Sequence, residues 1–235
     1  MRLLDLTLPT AAENLALDEA LLVAAEAGTG RAVLRFWENP QVAVVLGAGG
    51  SVAHDVNGTA CAAAAVPILR RASGGGTVLV GPGCLCFALV LSYDHAPGLH
   101  DIRAANRYVL DRVRAALPVP ATIEGTSDLA LGGMKFSGNA QQRKRTHFLH
   151  HGTLLYDFDL TRLSRYLRAP ERQPDYRRNR PHAEFVMNLP LSVAELKHRL
   201  MVAWAAENTD EPLPWETVRL LLAEKYSRPD WHQRR

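Results

Sequence analysis

The sequence predicts an α+β fold, with a mixed, largely antiparallel sheet flanked by helices. Two observations carry this reading. β-type runs arrive in groups separated only by turn residues or glycine breaks, whereas a doubly wound fold would alternate single strands with helices. Helix-period patterns fall at the N-terminus, in the middle of the chain and in its last third, so they bracket those strand groups. A length of 235 residues can close a sizeable core, and one domain spanning 1–235 is the economical organisation.

Thr10 followed by Glu13 has the spacing of a capping box, and Leu15, Leu17, Leu21 and Leu22 continue among alanines up to Gly28, which predicts a helix over 11–27. The runs AVLRFW (32–37) and VAVVLG (42–47) flank Glu38-Asn39-Pro40-Gln41, whose turn chemistry predicts a hairpin. Further strands are expected over 67–71, 77–80 and 85–92, broken by Gly74-Gly75-Gly76 and by Gly81-Pro82-Gly83. An apolar stripe over 102–117 fits one amphipathic helix. Short strands follow over 121–123, 128–131, 135–137 and 148–156, and helices over 160–168, 193–207 and 215–226. The Arg-, Pro- and Asn-rich stretch 169–187 reads as a surface lid or a long connection.

With 47% hydrophobic and 22% charged residues, disorder, collagen-like repeats and an extended coiled coil are excluded. No stretch approaches the ~18 apolar residues needed to span a bilayer. The opening MRLLDLTLPTAAEN has an acid and a proline where a signal peptide needs an apolar run, so the expectation is a cytoplasmic protein with no membrane partner. Lysine and arginine total 27 against 24 acids, and a net charge of +3 does not by itself imply nucleic-acid binding. The basic residues are clustered, at Arg143, Lys144 and Arg145 and again at Arg162, Arg165, Arg168, Arg172, Arg177, Arg178 and Arg180. That pattern suits a solvated face or a docking surface for an acidic partner; without interleaved stacking aromatics, no nucleic acid is expected. Cys61, Cys84 and Cys86 match no common zinc spacing and read as buried thiols in a reducing compartment.

Two segments concentrate residues suited to chemistry. In Arg70-Arg71-Ala72-Ser73-Gly74-Gly75-Gly76-Thr77, three glycines either build a tight turn or let backbone approach a ligand, with arginines beside them that can donate to a carboxylate or phosphate. No Lys-Ser or Lys-Thr follows at P-loop spacing, and Gly47-Ala48-Gly49-Gly50 lacks the dinucleotide fingerprint. The second segment runs from Gly125-Thr126-Ser127-Asp128 through Lys135-Phe136-Ser137-Gly138-Asn139-Ala140 to His150-His151-Gly152-Thr153. Lys135 is either a solvent-facing strand residue or a fixed charge opposite anionic oxygens. Adjacent histidines in a strand face opposite ways, which argues against a shared metal site.

R-R-A-S-G-G-G-T, then S-D-L, G-x-K-x-S-G-x-A and H-H-G-T-L-L, in that order, resemble the lipoate-protein ligase A family of the biotin/lipoate A/B protein ligase superfamily. The resemblance runs from Asn14 and Asp18-Glu19 to Asn188-Leu189, and on to Lys225-Tyr226 and Trp231. It implies a biotin/lipoate ligase-like catalytic domain and an ATP-dependent ligase working in two steps. A lipoate or octanoate carboxylate attacks the α-phosphate of ATP to give acyl-AMP and pyrophosphate, and a lysine of a lipoyl domain then displaces AMP. By the same resemblance, Arg71, Gly76, Thr77, Val78, Leu79 and Lys135 bind ATP and the adenylate, with Lys135 catalytic in both steps. Ser73, Gly74, Gly75, Ser137, Gly138, Ala140, His151, Gly152 and Thr153 shape the acyl site, and Asp128 is the expected Mg²⁺ ligand. The implied carriers are lipoyl domains of 2-oxoacid dehydrogenase complexes or the glycine cleavage H protein. Set against the resemblance, the expectation is a single catalytic domain over 1–235 with no full C-terminal accessory domain, which leaves a role for an accessory polypeptide.

Two departures from the family pattern stand out. Val78-Leu79-Val80-Gly81-Pro82-Gly83 replaces a His-Asp pair and is closer to octanoyltransferases, and the first glycine loop lacks a glutamine. An ATP-independent octanoyltransferase or lipoyl amidotransferase would need an activated cysteine, and none lies within 116–128 or 140–235. A non-catalytic lipoyl-domain-binding homologue is a third reading, which the intact Lys135 and glycine run oppose.

Overall fold

The computed structural model describes residues 1–170 and 173–234; of the predicted basic cluster, Arg172 lies outside the described residues. The largest sheet is built from β1 (Arg2–Asp5), β2 (Val33–Trp37), β6 (Cys84–Ser92), β7 (Thr122–Glu124), β8 (Asp128–Leu131), β9 (Met134–Arg143), β10 (His147–Leu155) and β11 (Glu207–Asn208). Its order is β11-β1-β2-β6-β10-β9-β8-β7, parallel across the first three strands and antiparallel from β2 onward. A second sheet holds β3 (Ala43–Leu46), β4 (Ile68–Arg70) and β5 (Val78–Val80) in the order β4-β3-β5. The predicted mixed, largely antiparallel architecture is therefore present.

The large sheet is covered on both faces, and its central strand records this. Along β6, Cys84, Cys86, Ala88 and Val90 enter one core while Leu85, Phe87, Leu89 and Leu91 enter the other. A strand buried on both faces reads as a continuous apolar run. The first core contains α1 (Ala11–Glu26) and the small sheet; the second contains α4 (Ile102–Ala116) and α7 (Val193–Ala203). Helix α1 starts at the expected capping box, with Glu13 N donating to Thr10 Oγ1 at 3.2 Å and Thr10 N to Glu13 Oε2 at 2.8 Å. Helix α4 starts where Asp101 Oδ1 accepts from Ala104 N at 2.8 Å, and it buries Ala105, Val109, Leu110 and Val113. Burying each of its larger apolar side chains contributes about 1.5–3 kcal/mol.

Several expectations are corrected. The runs 32–37 and 42–47 do not pair: β2 lies between β1 and β6, whereas β3 lies between β4 and β5. Both strands are buried along their whole length, so neither shows the alternation that would have set a partner. Residues 38–41 carry the chain from one sheet to the other, with Glu38 accepting from Gly83 N at 2.9 Å and from Tyr156 OH at 2.7 Å. Strands β1 and β11 and the short helices α2 (Val52–Asp55) and α3 (Gly58–Ala63) escape sequence reading because they are too brief to show a period. β9 continues past Ser137 to Arg143, and α7 ends at Ala203, before the expected 207.

Between Leu160 and Met187 lie α5 (Thr161–Tyr166), a 3₁₀ turn (Asp175–Arg177) and α6 (His182–Phe185). Val186 bridges to Lys135, and Met187 N donates to Lys135 O at 2.9 Å. The C-terminal part consists of α8 (Trp215–Leu221), a π-helical turn (Leu222–Tyr226) and α9 (Pro229–Gln233). Among the described residues, no helix is long and apolar enough to cross a membrane.

Candidate functional site

A cavity of about 520 Å³ opens where the two sheets meet, between α1, the glycine run after β4 and the adjoining halves of β9 and β10. Arg71, just beyond β4, organises the glycine side. Its Nε donates to Ser73 Oγ at 2.9 Å, Nη1 to Val45 O at 3.2 Å, and Nη2 to Gly74 O at 2.6 Å and Gly76 O at 2.9 Å. Burial lowers its pKa to about 10, so it stays charged at neutral pH while curling the loop around itself. Gly75 has φ +91°, and the first glycine loop packs so closely behind it that a Cβ at Gly47 would meet Gly75 O at 2.0 Å.

Of the residues expected to bind the nucleotide, Arg71, Gly76, Thr77, Val78 and Lys135 line the cavity. Leu79 does not: the next strand position points the other way, and its side chain is buried in the first core. Thr77 Oγ1 donates to Asp55 Oδ2 at 2.9 Å, which ties this loop to α2. Arg70, the other arginine beside the glycines, is not on the wall.

Lys135 follows the β8–β9 turn, where Gly132 and Gly133 take left-handed φ values of +58° and +78°. Its Nζ lies 2.7 Å from Asp128 Oδ1, and Asp128 Oδ2 accepts from Tyr176 OH at 2.8 Å. Burial and the Asp128 charge push the Tyr176 phenol up, so it remains a proton donor. Asp128, the expected magnesium ligand, thus has both oxygens engaged by protein groups. Gly138 leaves room for the lysine, since a Cβ there would be 3.1 Å from Lys135 Nζ. Among the described residues, no group of three or more His, Cys, Asp or Glu side chains could hold a metal ion.

Of the residues expected to shape an acyl site, Gly75, Gly138, Ala140, His151, Gly152 and Thr153 line the cavity; Ser73 and Ser137 are buried outside its lining, and Gly74 is exposed outside it. Asn139 Nδ2 donates to Ser127 O at 2.9 Å and Ser137 Oγ at 3.0 Å, and its Oδ1 rests against Gly152, where a Cβ would come within 1.9 Å.

Sequence reading missed the α1 and β2 side of this wall: Leu15, Asp18 and Trp37, joined by Val45 and Cys86. The available signal was a set of charges inside apolar runs, for Asp18 pairs with fully buried Arg35 and accepts from Trp37 Nε1 at 3.1 Å. Burial raises the Asp18 pKa against the opposing pull of Arg35.

His151 Nε2 is 2.6 Å from Ser73 Oγ, and His151 Nδ1 is 4.0 Å from Asp18 Oδ2. Ser73 Oγ also accepts from Arg71 Nε, so the serine links the buried guanidinium to the histidine ring. Burial, reinforced by the Arg71 charge, lowers the His151 pKa to about 3. His150 points to the opposite face, with its pKa also lowered by burial to about 3, as strand alternation requires. Cys86 does reach the cavity, yet burial and its neighbour Cys84 push its thiol well up, away from the thiolate needed for nucleophilic transfer.

The basic clusters do not form one free surface. Arg143 stacks on Tyr93 and Phe148 and donates to Leu99 O at 2.7 Å. Arg177 is 5% exposed and packs over Phe185, while Arg180 donates to Gly133 O at 2.8 Å and Tyr176 O at 3.0 Å. Arg178 is exposed.

Residues 10–204 match the family model described as the lipoyl protein ligase A/B catalytic domain. The protein named probable lipoate-protein ligase A from Mycoplasma pneumoniae is 34% identical over 154 residues, which cover 66% of this chain and 45% of that protein. The match therefore spans about half the length of that relative. Two solved structures share the fold. A bi-partite lipoate protein ligase from Thermoplasma acidophilum has a TM-score of 0.82 at 23% identity, covering 99% of this chain and 95% of that one. A lipoate-protein ligase A bound with ATP has a TM-score of 0.83 at 24% identity, covering 99% and 98%.

Proposed function

Because the chain belongs to the lipoyl protein ligase A/B catalytic-domain family, we propose that it is an ATP-dependent lipoate or octanoate protein ligase acting through an acyl-adenylate. The observation that carries this reading is the placement of Lys135 on the same cavity wall as a glycine loop curled around Arg71. The cavity lining combines a cation and close-approaching backbone, suited to phosphate oxygens, with the apolar side chains of Leu15, Trp37, Val45 and Cys86, suited to a medium-length acyl chain.

In the first step a carboxylate oxygen of the acid bonds to the α-phosphorus of ATP, and the bond to the pyrophosphate oxygen breaks. In the second, a lysine amine of a lipoyl domain bonds to the acyl carbonyl carbon, AMP leaves with the electron pair, and the amine loses a proton. Negative charge rises on oxygens near the acyl–phosphate junction in both steps, and the Lys135 ammonium supplies a fixed counter-charge there. Asp128 and Tyr176 hold that ammonium in place before the ligand arrives. Neutral His151, fixed by Ser73, keeps the acyl end free of a second cation. Magnesium would enter with the nucleotide substrate, and Asp128, which also pairs with Lys135 and accepts from Tyr176, is the carboxylate on the cavity wall that would face it.

We assign the acceptor to the lipoyl domains of 2-oxoacid dehydrogenase complexes or the glycine cleavage H protein, and treat residues 1–235 as one catalytic domain that works with or without an accessory polypeptide. The raised Cys86 thiol disfavours the ATP-independent transferase. The deciding experiment is pyrophosphate release from MgATP with lipoate, octanoate or no acid. Release that requires the acid supports adenylation, and absence of release with a lipoyl domain also present refutes it.

A further inference from the structure

We propose that Arg70, Trp231 and His232 form a clamp through which the C-terminal segment positions both glycine loops at the cavity. Arg70 and Arg71 are consecutive, and their guanidinium groups serve opposite sides. Arg71 holds the cavity-lining loop from within, whereas Arg70, fully buried, gathers backbone from segments far apart in sequence. Its Nη1 donates to Gly47 O at 3.1 Å and Gly50 O at 2.7 Å, in the first glycine loop. Its Nε donates to Trp231 O at 3.1 Å, and Nη2 donates to His232 O at 2.9 Å and Arg234 O at 2.8 Å, in the C-terminal segment.

The backbone of Arg70 closes the same junction. Its N–H donates to His232 Nδ1 at 2.9 Å, and its carbonyl accepts from Trp231 Nε1 at 2.8 Å. With Nδ1 accepting, the His232 proton lies on Nε2, which donates to Tyr226 O at 2.9 Å. Tyr226 OH donates to Glu19 Oε2 at 2.6 Å, and Lys225 Nζ reaches Glu19 Oε1 at 2.7 Å. The segment is thereby fastened to α1 one residue beyond Asp18, which lines the cavity.

The first loop passes this order to the second. Ala48 N donates to Ser73 O at 2.8 Å, and Gly47 abuts Gly75 O with no space for a side chain. Carbonyls from two segments converge on one permanently charged, planar donor, and no other side chain type offers that fork. When the clamp is loosened, the loops sample more conformations, and a ligand must order them as it binds. Arg70, Trp231 and His232 are therefore positioning residues for the cavity rather than ligands of the substrate.

The kinetic part of the test rests on the proposed function; the exchange part does not. Amide hydrogen exchange is compared between the wild-type chain and Trp231→Ala, Trp231→Phe and His232→Ala, with melting temperature recorded for each. In Trp231→Ala we expect residues 47–50 and 73–76 to exchange at least tenfold faster, while the β9–β10 pairing at 139–143 changes less than twofold. Trp231→Phe, which keeps a ring but loses the indole donor, should fall between. In pyrophosphate release, Trp231→Ala should raise the KM for ATP at least fivefold and lower kcat by a smaller factor. Unchanged loop exchange overturns the clamp. So does acceleration spread evenly over the chain, which marks general destabilisation. A wild-type chain without pyrophosphate release refutes the proposed function, and the exchange data then still decide the clamp.

Discussion

Replacing Lys135 by Ala separates a catalytic role from a structural one, because the two carry different magnitudes. The side chain is 28% exposed and pairs with Asp128, which is 15% exposed, so solvent partly screens the ion pair. A pair of this kind contributes about 0–1 kcal/mol, and Tyr176 continues to donate to Asp128 after truncation. For a chain of 235 residues, about 1 kcal/mol corresponds to a fall of roughly 2–4 °C in Tm. A fixed charge aimed at oxygens that become anionic in the transition state is worth far more, about 10²–10³ in rate, or roughly 3–4 kcal/mol. Lys135→Ala should therefore melt within about 4 °C of wild type yet release pyrophosphate at least a hundredfold more slowly, with lipoate or octanoate saturating. Stopped-time pyrophosphate assays and a thermal melt measure both quantities. A rate within fivefold of wild type would refute the assignment of Lys135, and a fall in Tm beyond about 10 °C would mean the rate loss came from unfolding.

Three further outcomes follow from the same geometry. His150 and His151 have pKa values of about 3 in the fold against ~6.5 in the unfolded chain, so below pH ~6.5 the unfolded state binds more protons. Their contribution is complete above that pH and is lost as pH falls toward 3, at about 1.4 kcal/mol per pH unit for each; denaturant titrations at pH 7 and pH 5 giving equal stability would contradict this. Gly152→Ala places a methyl 1.9 Å from Asn139 Oδ1 and 2.9 Å from Phe87 Cε1, and should destabilise by about 1–3 kcal/mol while weakening acid binding, read by calorimetry. Charge reversal at buried Arg177 removes its bond to Arg180 O and its stacking on Phe185 and should lower the melt, whereas reversal at exposed Arg178 should leave the melt unchanged and raise the KM for an acidic lipoyl domain. Equal melts for the two variants would show that burial does not distinguish them.

The parts of the fold legible in sequence are those where one local rule acts alone. The capping box and glycine end defined α1, and the single apolar stripe defined α4. Lys135, Gly138 and His151-Gly152-Thr153 were recognisable because ordered motifs bracket them, and the cavity brings them together. The division into two sheets was not legible, since β2 and β3 are buried throughout and carry no alternation to distinguish partners. Leu15 and Asp18 were hidden for a related reason: α1 is buried around most of its circumference, so its period does not single out the face toward the cavity. Tyr176 belongs to the irregular stretch 169–187, where contacts made in the fold, with Asp128 and Phe185, give it a place that no local pattern signals.

The small sheet carries the glycine loop, and the large sheet carries Lys135. The two halves of the site thus descend from separate hydrogen-bonded ladders, joined by the 2.6 Å hydrogen bond between Ser73 Oγ and His151 Nε2. Variation can then act largely on one half at a time: a changed loop after β4 reshapes the glycine side of the cavity while the lysine stays where β8 and β9 put it. The reverse also holds, for a redrawn β8–β9 turn would shift the charge without disturbing the loop. A scaffold divided in this way lends itself to grafting. Exchange of the segment from β3 to β5 between relatives would replace the glycine loop together with Val45 while leaving Lys135, Trp37 and Cys86 in place.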